Sequence, residues 1–247
     1  MINFSQNPHD WRGCLPSYCE SGIMRSALSE DAKPFAWYPW ALPTINQVGP
    51  SCVGQAWANW LELMLRRYVS RTIFAPGEQI DGHAVWVRGR ELFYSGRLTG
   101  GMQLPQGFAA MMDLGILPPE SLLVAVNKNW NSVCRQLAIS PMVQGHHIHP
   151  GWFRADRVSG LIDHEPIPAQ ADGYHATLLM GTGMHGDRRF RVGQNSWGCD
   201  FANNGYFVMT DEEWFEGVMA DGPYTVQLPE GWEKWQGWKE HVVKIAA

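Results

Sequence analysis

No stretch of the chain approaches the roughly 18 consecutive apolar residues that a membrane-crossing helix needs. The N-terminal MINFSQNPHD has no basic segment followed by an apolar one, so no signal peptide is read there. Basic charge is also scarce. Lys and Arg number 19 against 24 Asp and Glu, giving a net charge of -5, and the longest basic clusters are the pairs Arg66–Arg67 and Arg188–Arg189. That excludes a broad electrostatic footprint for nucleic acid or an anionic membrane, and the two pairs are expected on solvated surface. Cysteine is sparse and odd in number: Cys14, Cys19, Cys52, Cys134 and Cys199. An odd count without a leader leans towards reduced thiols and a cytoplasmic setting. Internal repeats, low-complexity segments and a phosphate-binding glycine motif are absent as well. No cofactor is implied.

What is present suits one sizeable domain or one domain of two lobes. The 247 residues are 45% hydrophobic and 17% charged, enough to bury a core. Residues 1–36 mix Pro, Gly and Cys without periodicity and read as an irregular N-terminal extension. Residues 37–228 read as the main domain and 229–247 as a Trp-rich tail.

The clearest helix begins at Cys52. Val53, Ala56, Trp57, Trp60, Leu61, Met64, Leu65 and Tyr68 recur at offsets of three and four, after Pro50 and Ser51. Further helical patterns cover Ala84 to Tyr94 and Pro105 to Leu114, the latter ending at Gly115. Beyond residue 140 the texture changes. Thr177–Met180, Phe190–Val192, Tyr206–Met209 and Tyr224–Leu228 are short apolar runs between turn residues, as in an antiparallel sheet. Helices first and strands later predict an α+β protein with a helical lobe and a sheet lobe.

Three residue types could carry chemistry. Cys52 at a helix start is either a small core residue or a nucleophile whose thiolate the helix terminus stabilises. His175 stands at the head of an apolar run in GYHATLLMGTG, where a core histidine is the plainer reading. Asn195 opens NSWG, which alone is compatible with a turn.

Together these blocks resemble the papain family of cysteine peptidases. NQVGPSCVGQAW is similar to that family's nucleophile segment, GYHATLLMGTG to its histidine segment, and QNSWGCDFANNGYFVM to its Asn-Ser-Trp-Gly block. TGGMQLPQGFAAMMDLGILPPESL is similar to the stretch where two glycines precede a helix. The likeness runs from about residue 40 to about 210. Cys52 precedes His175 by 123 residues and Asn195 by 143. The family places its histidine and asparagine about 130–150 residues after the cysteine, so one spacing fits and one is slightly short.

The resemblance implies a papain-like two-lobe fold, with the active-site cleft between a helical lobe and an antiparallel β-sheet lobe. It implies a peptide or protein substrate and a thiol hydrolase in which Cys52 is the nucleophile and His175 the base. Asn195 would orient the imidazole, Trp197 would cover that contact, and Gln47 would be an oxyanion donor. Gly100 and Gly101 would pair with an extended substrate, although an ordinary turn is also open. The thiol and imidazole are expected as a thiolate–imidazolium pair.

The pattern departs from the family in places. Gln47 lies five residues before Cys52 rather than six, which leaves Asn46 as an alternative donor. Gly49 stands where the family usually has a disulfide cysteine. Residues Val143 to Ala171 read as a His-rich, Pro-rich insertion able to overhang the cleft. Its His146, His147 and His149 lack a fourth ligand, and no metal site is assigned. Cys14 and Cys19 could form a local disulfide in an oxidising compartment. Trp232, Trp235 and Trp238, at a spacing of three, either pack on the domain or form a strip for a protein partner. The alternative function is therefore a papain-like scaffold for binding or assembly, with little turnover.

Overall fold

The computed structural model describes residues 37–163, 165, 173–218 and 222–244. The predicted extension over residues 1–36, with Cys14 and Cys19, lies outside the described residues.

The helical lobe is organised by α1 (Cys52–Tyr68), in which every residue from Cys52 to Leu65 is buried. Its indoles tie it to both lobes. Trp57 Nε1 donates to Leu104 O at 2.9 Å and Trp60 Nε1 to Pro141 O at 2.9 Å. Against α1 lies α2 (Gly82–Tyr94), capped by Asp81, whose Oδ1 accepts from Ala84 N. The crossing is close enough that a Cβ on Gly54 would fall 2.0 Å from Gly82 O, so only glycine fits there. Next comes α3 (Leu104–Asp113), which starts with a Gln103–Gln106 capping box and Pro105. It is terminated by Gly115 at φ +70°.

The sheet lobe is a seven-stranded sheet. Its strands are β2 (Leu122–Ala125), β3 (Met142–Ile148), β4 (Leu161–Ile162), β5 (Gly173–His185), β6 (Arg188–Gln194), β7 (Tyr206–Thr210) and β8 (Tyr224–Gln227), in the order β2-β8-β3-β5-β6-β7-β4. Neighbours are antiparallel except β4 and β7 at one edge. Two helices flank it, α4 (Trp130–Leu137) and α5 (Asp211–Gly217). The α+β class and the helix-then-sheet order are as the sequence predicts.

One segment is corrected. Val143–Ile148 does not overhang the cleft: it is the body of β3, almost wholly buried and paired residue for residue with β5. Its polar side chains hid that. Gln144 accepts from Trp214 Nε1 at 2.8 Å and donates to Thr177 Oγ1, so it is buried without loss. The pair Arg66–Arg67 also departs from expectation. Arg66 Nη1 donates to Ala41 O and the Arg67 guanidinium lies 4.5 Å over the Trp37 ring, so both are half-buried.

The tail folds back on the helical lobe. β1 (Glu78–Ile80) pairs with β9 (Val242–Lys244) in a separate two-stranded sheet. Trp232 meets Tyr68 edge-on, Trp235 Nε1 donates to Gly115 O, and buried Trp238 packs on Phe74. All three indoles are thus engaged within the chain.

Candidate active site

Cys52 is the first residue of α1, and the helix start has no side-chain cap: Ser51 makes none. The first backbone N–H groups therefore take no side-chain cap, and those of Cys52 and Val53 are directed at Sγ, with the positive end of the helix dipole behind them. From the other lobe, β5 brings His175 and the end of β6 brings Asn195. Strand pairing sets their register, since Leu178 faces Gln194 and Asn195 follows directly.

His175 Nε2 lies 2.5 Å from Asn195 Oδ1, and the same oxygen accepts from Ser196 N at 2.7 Å. An oxygen serving two donors fixes the tautomer. Nε2 carries the hydrogen and Nδ1 is left bare to take a proton. The Trp197 ring covers the imidazole, with centroids 4.4 Å apart. His175 and Asn195 are 5% and 1% exposed, so water is kept from this contact.

The loop before α1 is stitched to the NSWG turn. Gln47 N donates to Ser196 O at 2.7 Å, Gly198 N donates to Ile45 O at 2.9 Å, and Asn46 bridges Trp197. The Gln47 amide oxygen accepts from Ser196 Oγ at 2.7 Å and its Nε2 donates to Gly49 O at 2.8 Å. One amide N–H of Gln47 remains for another acceptor. The Asn46 amide instead occupies the place a side chain on Gly198 would fill, its Oδ1 2.5 Å from an ideal Cβ. Ser196, which holds Gln47, is a site residue that sequence reasoning missed, though it stands inside the quoted NSWG block.

Gly100 and Gly101 are exposed, with nothing within 4 Å of where a Cβ would be. Gly100 adopts φ +80°, which glycine alone takes freely. The pair is anchored from α2: Trp86 Nε1 donates to Gly100 O and Arg90 Nη1 to Gly101 O at 2.7 Å.

Burial governs the charges. It pushes the Cys52 thiol above its ordinary range, although backbone N–H groups of Ala176, Val53 and Cys52 directed at the sulfur pull the other way. It lowers His175 to about 4, against the upward pull of Asn195. Neither group therefore ionises alone by exchange with water. A proton moved from Sγ to Nδ1 keeps the pair neutral overall, so charge separation belongs to the pair.

The other flagged histidines serve the sheet. His146 is buried behind His175, its neighbour across β3 and β5, and is held to about 3 by burial first and then by nearby cations. His149 Nε2 meets Glu213 Oε1 at 2.6 Å while its Nδ1 accepts from Gly151 N. Among the described residues no three His, Cys, Asp or Glu side chains converge as a metal site would. Cys199 is disulfide-bonded, contrary to the expectation of reduced thiols, whereas Cys52 and Cys134 are free.

Residues 152–225 match the family model for papain family cysteine proteases. That segment holds His175, Asn195 and Trp197, and Cys52 precedes it. Among solved structures, the chain is similar to xylellain, a cysteine protease from Xylella fastidiosa. The identity is 15%, covering 80% of this chain and 86% of that one, with a TM-score of 0.66. Among proteins of curated function, none matches the sequence. The two-lobe architecture is thus papain-like. No helix among the described residues is long and apolar enough to cross a membrane.

Proposed function

We propose, for a chain papain-like in its fold and in its matched segment, that it is a cysteine-type peptidase acting through a Cys52 thioacyl-enzyme. The observation that carries the reading is the pairing of His175 with Asn195, which leaves Nδ1 bare, together with a thiol at an uncapped helix start that takes a hydrogen bond from the N–H of Ala176, the residue after His175. A pure scaffold has no use for that set.

The substrate is a peptide or protein lying along Gly100 and Gly101. As Sγ attacks the scissile carbonyl, its proton passes to His175 Nδ1. The carbonyl oxygen gains charge and is held by the Cys52 N–H and the free N–H of Gln47. Collapse breaks the C–N bond, and His175 returns the proton to the leaving amine. Water, deprotonated by the same imidazole, then cleaves the thioester and restores the thiol. Isopeptide and other amide bonds meet the same residues.

The scaffold reading drew on the Trp tail, and those indoles are spent on internal packing, so the tail gives it no support. A cytoplasmic setting rests on the cysteine count, and the disulfide at Cys199 weighs against it in favour of an oxidising compartment.

Intact mass after brief exposure to a peptidyl epoxide tests the reading. One adduct, mapped to Cys52 and lost in Cys52→Ala with the melting temperature kept, supports it. Equal labelling of all thiols, or turnover retained by Cys52→Ala, refutes it.

A further inference from the structure

Two cysteines are free among the described residues, Cys52 and Cys134, and the peptidase chemistry uses only the first. Cys134 is half-buried in α4, four residues after Trp130, so the two side chains share a face of that helix. That face lies on the sheet. Cys134 Sγ meets Thr182 Oγ1 of β5 at 3.4 Å, and the Trp130 ring lies 4.4 Å from the Arg191 guanidinium of β6.

Arg191 is the unusual neighbour. It stands opposite Thr182 in the β5–β6 register, so both side chains leave the same face of the sheet, the one that α4 covers. Arg191 is 1% exposed, and its guanidinium lies against two indoles, Trp130 and Trp214, each 4.4 Å away. Asp211 accepts from Nε and Nη2 through one oxygen. Nη1 is buried and has no acceptor. A buried N–H left unmet is rare and costly, and it marks a place for an acceptor that the reduced chain does not supply. The Cys134 sulfur is near enough that negative charge on it would stabilise the guanidinium, second to Asp211.

We propose that Cys134 is an oxidation site, at which hydrogen peroxide converts the thiol to a sulfenate whose oxygen takes the Arg191 N–H that the fold leaves unmet. Partly exposed thiols beside a fixed cation are the ones that oxidise. The sulfur lone pair attacks one peroxide oxygen, and the S–O bond forms as the O–O bond breaks. The departing hydroxide takes the thiol proton and leaves as water. Sulfur gives up two electrons and the peroxide gains them. The sulfenic acid then releases its proton to solvent, because a guanidinium N–H bonds the anion more strongly than the acid. The Thr182 hydroxyl stands by as a second donor. No step touches Cys52 or His175, so the inference is independent of the peptidase reading.

Exposure of the full chain to hydrogen peroxide with dimedone, followed by peptide mapping, tests the inference, with glutathione in the same tube as the reference thiol. The Cys134 peptide should gain dimedone about ten-fold faster than glutathione, or more. In a second tube catalase removes the peroxide before dimedone is added. The Cys134 label should still form there, because the sulfenate is held. Arg191→Lys keeps a cation but loses the planar fork, and should bring the rate down to that of glutathione. Labelling of Cys134 no faster than glutathione overturns the inference, and so does a label lost in the second tube. A folded Arg191→Lys protein that labels like the wild type also overturns it. Should that variant fail to fold, the two wild-type tubes decide alone.

Discussion

Asn195 Oδ1 accepts two hydrogen bonds at once, from His175 Nε2 and from Ser196 N, and so holds the imidazole by an oxygen that is itself immobilised. Asn195→Ala should leave the ring free to turn and lower kcat by about 10²-fold, the scale of a mispositioned general acid–base. The same bond raises His175 against burial, so the acid limb of the variant should move to lower pH. A limb unmoved in the variant would mean that the bond does not act on the imidazole.

Gln47 and Asn46 make different commitments. The Gln47 amide is pinned by Ser196 Oγ and Gly49 O with one N–H left over, whereas the Asn46 amide fills space against Gly198. Gln47→Ala should lower kcat by about 10²-fold or more, corresponding to about 2.7–4 kcal/mol of transition-state stabilisation. Asn46→Ala should cost less. Steady-state kinetics on both variants decides, and the reverse order would move the oxyanion role to Asn46.

Activity should span a wide pH plateau. The reactive pair carries one shared proton between the pKa of His175, about 4, and that of the raised Cys52 thiol. The rate of inactivation by the epoxide should therefore fall only near pH 4 on the acid side and above the ordinary thiol range on the alkaline side. An acid limb near 6.5, the ordinary imidazole value, would contradict the desolvation of His175.

Stability should peak near neutrality, for reasons set by three buried groups. His175 and His146 are lowered to about 4 and about 3 from 6.5. The unfolded chain gains those protons first, so their contribution is present above 6.5 and is lost as the pH falls through 4 and 3. Glu62, whose Oε1 accepts from Ile80 N, is raised by burial from 4.5 to about 8. Its contribution is present below 4.5 and is lost as the pH rises through 8. Melting temperatures from pH 4 to pH 9 should trace a dome with the steeper limb on the acid side, and Glu62→Gln should flatten the alkaline limb. A steady rise up to pH 9 would contradict the account.

Much of this was legible in the sequence, for identifiable reasons. The face of α1 repeats with helical period, Gly115 ends α3, and β5 to β8 are apolar runs between turn residues, so the lobe order could be read. Cys52, His175 and Asn195 lie in segments with distinctive neighbours. β3 was missed because Gln144 and His146 are polar, and their burial depends on Trp214, Thr177 and the sheet, none of them local. α5 is short and acidic, and its helix is secured by Thr210 accepting from Glu213 N. The disulfide at Cys199 and the stacking of Phe153 on Trp197 arise from tertiary approach, which no spacing displays.

The pairing of β1 with β9 also bears on the order of events at the ribosome. Glu78–Ile80 lies in the lobe that holds Cys52, and its partner Val242–Lys244 is translated after Cys52, His175 and Asn195. The indoles of Trp235 and Trp238 reach the same lobe from the same late stretch. A nascent chain that already holds Cys52, His175 and Asn195 would still lack the closing strand of the lobe that aims the thiol.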